Sequence, residues 1–302
     1  MSEKPKKKSG SIAIPFLITI FVGLLLIGGT AFGIYKHLNS KKDDKPKEPT
    51  PRNGITSATP EDSHTILLIL NDPEGQKASA TFVLMRSIPY KKQLLFIGIP
   101  SNSIFYSEKE GAQVALKDTF ERNGAKSAVS FVEDVLNIKV DKYMSFDPDA
   151  FLRVCDIFGG VTYPVDINFT GFTDDSSLQT MGPDDIRKYL TYNNFKGGEA
   201  ERSFKAASVL SYMVNGSDGD RIAGNFDRYF SEIINKLGVA GTDISGSDYD
   251  KRKNAIKYMF NYGQSIAIAI TIDGENAGID FIPDSNFVNN IPEDYFKDAT
   301  VK

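Results

Sequence analysis

Chemistry at neutral pH needs side chains that titrate or attack, and this chain holds few of them. It has two histidines, His37 and His64, and one cysteine, Cys155. A Ser-His-Asp or Cys-His site would have to use one of these histidines, and no G-x-S-x-G nucleophile turn accompanies either. No Cys/His spacing matches a zinc site, and no glycine-rich loop of the phosphate-cradling kind occurs. Asp218-Gly219-Asp220 resembles the opening of a calcium loop, but the later ligands are missing and a solvated loop is the simpler reading. Asp174-Asp175 and Asp184-Asp185 read as acidic surface, with Asp184 or Asp185 placed to cap the next helix. Cys155 sits in DAFLRVCDIF among Phe151, Leu152, Val154 and Ile157, so it reads as a buried thiol. One cysteine permits no intramolecular disulfide.

The elements that would carry any site begin with an apolar run. Ser9 to Tyr35 hold no charged side chain, and Lys4, Lys6, Lys7 and Lys8 stand before them. At ~1.5 Å per residue the run spans a ~30 Å hydrocarbon core with some tilt. A cleaved signal peptide fits less well, because its apolar region is usually ~7–15 residues and ends at a small-x-small site, which Ala31-Phe32-Gly33 matches poorly. Both flanks are basic, with Lys36, Lys41, Lys42, Lys45 and Lys47 on the far side, which blunts the positive-inside rule. The expectation is a cytoplasmic tail over 1–11, a transmembrane helix over 12–35, a polar stalk over 36–62 and one extracytoplasmic domain over 63–302. Gly29 and Gly33 form a small-xxx-small pair, more simply read as filler than as a helix-pairing face.

Of the 302 residues, the first 60 hold ten Lys and Arg against four Asp and Glu, a net of +6. The whole chain is −4, so the remainder carries −10. An acidic domain argues against nucleic acid, which demands a positive surface. Within that domain, strands are expected over Ile66 to Leu70, Ala80 to Met85 and Leu94 to Ile99, with Pro89 to Lys92 as a turn. Helical patterns follow over Lys109 to Glu121 and Ala125 to Leu136. Lys142 to Phe146 reads as a strand, and Asp147-Pro148 opens a helix that ends at Gly159-Gly160. Val161 to Ile167 reads as a strand and 168–183 as irregular. Helices are expected at about 184–192, 198–214, 224–237 and 248–262, and Ser265 to Ile272 with Gly278 to Ile282 as a hairpin over Asp273-Gly274. This mixture predicts an α/β domain with a central mixed sheet flanked by helices.

Residues 129–169, VSFVEDVLNIKVDKYMSFDPDAFLRVCDIFGGVTYPVDINF, resemble the LytR-CpsA-Psr family of bacterial cell-envelope proteins, most clearly at Gly159-Gly160-Val161. The resemblance covers roughly 64–240, and FKGGEAERSFKAASVLSYM is similar to a helix of that family. It implies an anchored domain that handles polyprenyl-pyrophosphate-linked glycans, with arginines gripping the pyrophosphate, carboxylates holding a divalent cation and an apolar channel holding the lipid tail.

The chain departs from the family's pattern where that chemistry would sit. The R-S-D-T motif reads Ala78-Ser79-Ala80-Thr81, and S-I-P-R-D reads Gly98-Ile99-Pro100-Ser101-Asn102. A lysine of the family falls on Ala115, with Lys117 two residues on, and its paired arginines fall near Val214 and Gly216. Of the last motif, Asp220 and Arg221 remain. With so many phosphate contacts absent, at roughly 1.5–3 kcal/mol each, the expectation is a membrane-anchored envelope protein that binds or scaffolds in glycopolymer assembly without catalysing transfer. Its ligand-binding candidates are Asp220, Arg221, Lys77 and Arg86, with no catalytic residue, metal ligand or cofactor. Its partners are the membrane, a polyprenyl-linked glycan or wall polymer, or another envelope protein. The alternative is a polyprenyl-pyrophosphate-dependent glycopolymer transferase with a rearranged site built on the same four residues and a magnesium ion. A third reading, an unrelated envelope domain that shares only the GGV turn, predicts no such central sheet.

Overall fold

The structure, a computed structural model, describes residues 57–72, 80–107, 111–168 and 171–297. The tail, the expected transmembrane helix, most of the stalk, His37, Gly29, Gly33 and Lys77 lie outside the described residues. Among the described residues no helix is long and apolar enough to cross a membrane.

The central sheet has five strands in the order β6-β1-β2-β3-β9. They are β1 (His64–Leu70), β2 (Thr81–Ile88), β3 (Gln93–Ile99), β6 (Lys142–Phe146) and β9 (Ala267–Thr271). β2 runs antiparallel to β1 and β3, while β6 and β9 lie parallel at the two edges, so the sheet is mixed as expected. The continuous apolar run of β1 follows from burial on both faces. Thr65, Leu67 and Ile69 point one way with Phe82, Leu84, Ile97 and Ile270, beneath α1 (Leu116–Asn123), α2 (Ala125–Leu136) and α9 (Ser285–Tyr295). Ile66, Leu68 and Leu70 point the other way with Val83, Met85 and Phe96. That second face carries α3 (Pro148–Phe158), α4 (Pro183–Leu190), α5 (Gly198–Asn215), α6 (Gly219–Gly224), α7 (Phe226–Gly241) and α8 (Gly246–Tyr262).

Local chemistry explains the element ends. Asp147 caps α3, its carboxylate accepting from the Ala150 N–H at 2.8 Å, and Gly159 closes the helix in the left-handed region at φ 90°. Asp185 folds back to accept from the Gly182 N–H at 3.1 Å at the start of α4. Cys155 is fully buried, and burial pushes its thiol up to about 12, which makes it inert.

Four sequence expectations are corrected. The helix expected from Lys109 begins only at Leu116, because Ala112–Ala115 (β5) pairs antiparallel with Ile104–Ser107 (β4). The stretch 168–183 contains β8 (Leu178–Met181), which pairs with β7 (Val161–Pro164) and brings Thr162 opposite Thr180. The hairpin over Asp273-Gly274 does not form. Ala267–Thr271 joins β3 in the main sheet instead, and the hairpin is β10 (Gly274–Ala277) with β11 (Asp280–Pro283), turning at Gly278, whose φ is 69°. Finally, α6 and α9 have no counterpart in the sequence reading, since six residues show little periodicity and α9 carries an internal Pro292.

Candidate functional site

Two features stand out, one at each end of α5. The helix crosses β3 where Gly98 offers no side chain. A Cβ there would stand 1.9 Å from the Ser203 carbonyl oxygen. This close approach delivers Arg202, only 2% exposed, to the start of β2. Its Nη1 donates to Thr81 Oγ1 at 2.6 Å and to the Leu190 carbonyl at 3.3 Å. Its Nη2 donates to the Ala80 carbonyl at 3.3 Å and to Glu199, and its Nε donates to Glu199 Oε1 at 2.9 Å. A guanidinium has five N–H donors, and all five are engaged by protein acceptors. Ser101 also donates to Glu199. Asn102 donates through Nδ2 to the Ile279 carbonyl at 2.7 Å.

Of the four positions where the resemblance calls for arginine or aspartate, Ala78 lies outside the described residues, and Ala80 and Ser101 come together through the Arg202–Glu199 pair. Asn102 turns instead to Ile279. The donor set does not fit a divalent cation. Alanine, serine and asparagine stand where the family has arginine and aspartate, and the Glu199 carboxylate is tied to Arg202 and Ser101. Among the described residues no group of three or more His, Cys, Asp and Glu side chains is placed to hold a metal.

The second feature is an apolar cavity of about 250 Å³ between the sheet and the helices of the second face. Leu68, Met85 and Phe96 form its floor, and Leu210, Met213, Phe226, Tyr249 and Met259 are among its walls. Its polar lining includes His64, Ser87, Lys142, Asp248 and Arg252.

His64 is buried, and loss of water pushes its pKa below the usual 6.5, more than the Asp62 carbonyl 3.1 Å from Nδ1 raises it. Asp248 is held below the usual carboxylate range by Ser245 and by Lys142, whose Nζ lies 2.9 Å away. The sign for His64 is that the unfolded chain takes up a proton below pH 6.5 while the folded chain resists it. The stabilisation is therefore complete above about pH 6.5 and declines as the pH falls toward the folded value. Thermal melts should show the midpoint dropping between pH 7.5 and 5.5. His64→Gln should flatten that drop, and an equal drop in the variant would show that other groups cause it.

The four candidate ligand residues do not converge. Arg86 is buried on the opposite face of the sheet, donating to Thr65 Oγ1 at 3.0 Å with its guanidinium 4.8 Å from the Phe296 ring centroid. Arg221 donates to the Tyr229 hydroxyl at 3.0 Å and to the Ile157 carbonyl at 2.8 Å, beside the cavity wall. Asp220 is exposed in α6, and Lys77 is outside the described residues. Val214 and Gly216 sit at the C-terminal end of α5, 12 and 14 residues beyond Arg202, which at ~1.5 Å each places them roughly 20 Å along the helix from that cluster. Sequence reasoning missed Arg202, Glu199 and Ser101. The available signal was the Glu199-x-x-Arg202 spacing, which puts an acid and a base on one helix face.

Comparison with known proteins adds a family and a fold. A family model described as the LytR_cpsA_psr family matches residues 30–198. The polyisoprenyl-teichoic acid–peptidoglycan teichoic acid transferase TagU of Bacillus mycoides (strain KBAB4) is 25% identical over 166 residues, 52% of this chain and 55% of its own. The chain thus spans about half the length of that curated relative. Among solved structures, a putative transcription regulator from Eubacterium siraeum DSM 15702 superposes with a TM-score of 0.62 at 19% identity, covering 83% of this chain and 98% of its own. A structure of TagT bound to LI-WTA superposes with a TM-score of 0.58 at 16% identity, covering 83% and 97%. Both show the fold.

Proposed function

The chain belongs to the LytR_cpsA_psr family, and from that premise we propose that it is a membrane-anchored envelope protein that holds the lipid of a polyprenyl-linked glycan without transferring the glycan. Residues 12–35 tether it with the C-terminal domain outside the cell. The observation that carries the reading is the apolar cavity on the second face of the sheet. Its volume of about 250 Å³ exceeds the roughly 150 Å³ apolar cavity that suffices to bind benzene. Its lining is almost wholly apolar, so a long apolar chain gains by leaving water for it.

The transfer chemistry has no support at the positions that the resemblance assigns to it. Arg202 has no donor left for a phosphate, and Glu199 has its own partners. The transferase alternative draws on the naming of the TagU relative.

The test is a titration of the full-length chain with a polyprenyl pyrophosphate, with and without magnesium, read by displacement of a fluorescent apolar probe. Binding should be saturable and indifferent to magnesium. Ile256→Trp, which fills the cavity, should abolish it while leaving the melting temperature unchanged or higher. Binding that survives Ile256→Trp would remove the cavity from the argument. Magnesium-dependent glycan transfer abolished by Arg221→Ala would establish the transferase instead.

A further inference from the structure

The polar residues lining the cavity gather at one end. His64 and Ser87 are register partners where β1 begins and β2 ends. Lys142 opens β6 beside them, opposite Ile66. From α8, Asp248 pairs with Lys142 at 2.9 Å, and Arg252 brings Nη1 to 3.9 Å from the same carboxylate. The rest of the lining, Phe158, Leu210, Val214 and Ile222 among it, is apolar. The space therefore has the polarity of a single-chain amphiphile, with one polar corner and an apolar remainder.

Two buried donors at the polar end lack a partner. Ser87 is 2% exposed, and its Oγ makes no hydrogen bond. The Nε of Arg252 is also buried and unpaired. Buried donors are normally satisfied, because losing water without gaining an acceptor is costly. The neighbouring carboxylates do not fill the gap. Asp248 accepts from Ser245 and Lys142, and Asp141 accepts from the Thr65 N–H at 2.9 Å. An incoming acceptor would complete both donors.

We propose that this end is a head-group subsite. An anionic oxygen head, phosphate or carboxylate, accepts from Arg252 Nε and Ser87 Oγ near the Lys142 ammonium, while its apolar chain runs inward along Met85, Phe96 and Met213. The inference rests on the lipid-holding reading and refines it. The head lies where β1 begins and β2 ends, at the other end of the sheet from the Arg202 cluster at Thr81.

Tail-matched pairs test it with the full-length chain: farnesyl phosphate against farnesol, and palmitate against hexadecanol. The wild-type chain should prefer at least one anion over its alcohol, and the pair that shows the preference identifies the head chemistry. Arg252→Gln should cut that preference about tenfold, the usual weight of one charge-assisted contact, and leave alcohol affinity unchanged. Ser87→Ala should cut it a few-fold and carries the test alone if Arg252→Gln does not fold. Equal affinity for anion and alcohol would overturn the subsite, as would a preference that survives both variants or is lost in Arg221→Ala instead. Those outcomes leave lipid holding intact. Failure of all four probes to bind would overturn the lipid-holding reading and the subsite with it.

Discussion

Gly98→Ala should strongly destabilise the folded domain. A Cβ on residue 98 would stand 1.9 Å from the Ser203 carbonyl oxygen, 2.3 Å from its carbon and 2.9 Å from the Phe204 nitrogen. All three are backbone atoms, so no side-chain rotation relieves the clash. α5 cannot back away, because Ala206, Ala207 and Val209 are fully buried around it. β3 cannot move either, since it is paired on both sides by β2 and β9. Overpacking of well-packed cores commonly costs about 1–3 kcal/mol, and a contact this short against fixed backbone belongs at or beyond the top of that range. Circular dichroism should show either no cooperative transition or a midpoint lowered by at least about 10 °C. A midpoint within a few degrees of wild type would mean that α5 does not cross β3 so closely. The same crossing positions Arg202 and one wall of the cavity, so a partly folded Gly98→Ala protein should also lose lipid affinity.

Arg202→Met should cost about 3 kcal/mol. Removing one partner of a buried pair leaves the other charge and its hydrogen-bonded neighbours stranded. Here the groups that lose a donor are the Glu199 carboxylate, left with Ser101, and the Ala80 carbonyl, while the Thr81 hydroxyl still donates to the Leu190 carbonyl at 3.0 Å. The Glu199 side chain is 23% exposed and regains some water, which keeps the cost toward the lower end of the 3–5 kcal/mol range for buried pairs. Arg202→Lys should not rescue, because one ammonium cannot replace a planar fork of five donors. Arg202→Met combined with Glu199→Leu should recover most of the loss, since the uncompensated charge goes with it. Urea unfolding at constant slope reads all three variants. A silent Arg202→Met would show that this network is not structural, and would leave the guanidinium available to a ligand.

The two variants mark where sequence reasoning reached its limit. Gly98 and Pro100 were legible as the surviving frame of a motif, but nothing in the sequence says which helix crosses Gly98. Arg202 was visible as a residue of an amphipathic segment. Its role depends on a partner 121 positions away, the Thr81 hydroxyl. Arg86 shows the converse error. In sequence it stands near Lys77 and the degenerate first motif, but alternation along β2 turns it to the face opposite the cavity.

Local signals carried the elements that obey one period or one cap. The strand over β3, the helix Ala125–Leu136 and the Asp147-capped helix ending at Gly159 follow from hydrophobic spacing and terminal chemistry, which act within a few residues. The sequence by itself also determined the family, the buried Cys155 and the loss of arginine and aspartate at Ala78, Ala80, Ser101 and Asn102. Only tertiary structure decided that Ala267–Thr271 enters the main sheet, that Arg202 and Glu199 reach Ala80 and Ser101, and that the second face keeps an apolar cavity with a polar corner. Each of these depends on contacts between segments distant in the chain. Their free energy comes from burial and pairing across elements, which no window of neighbouring residues contains.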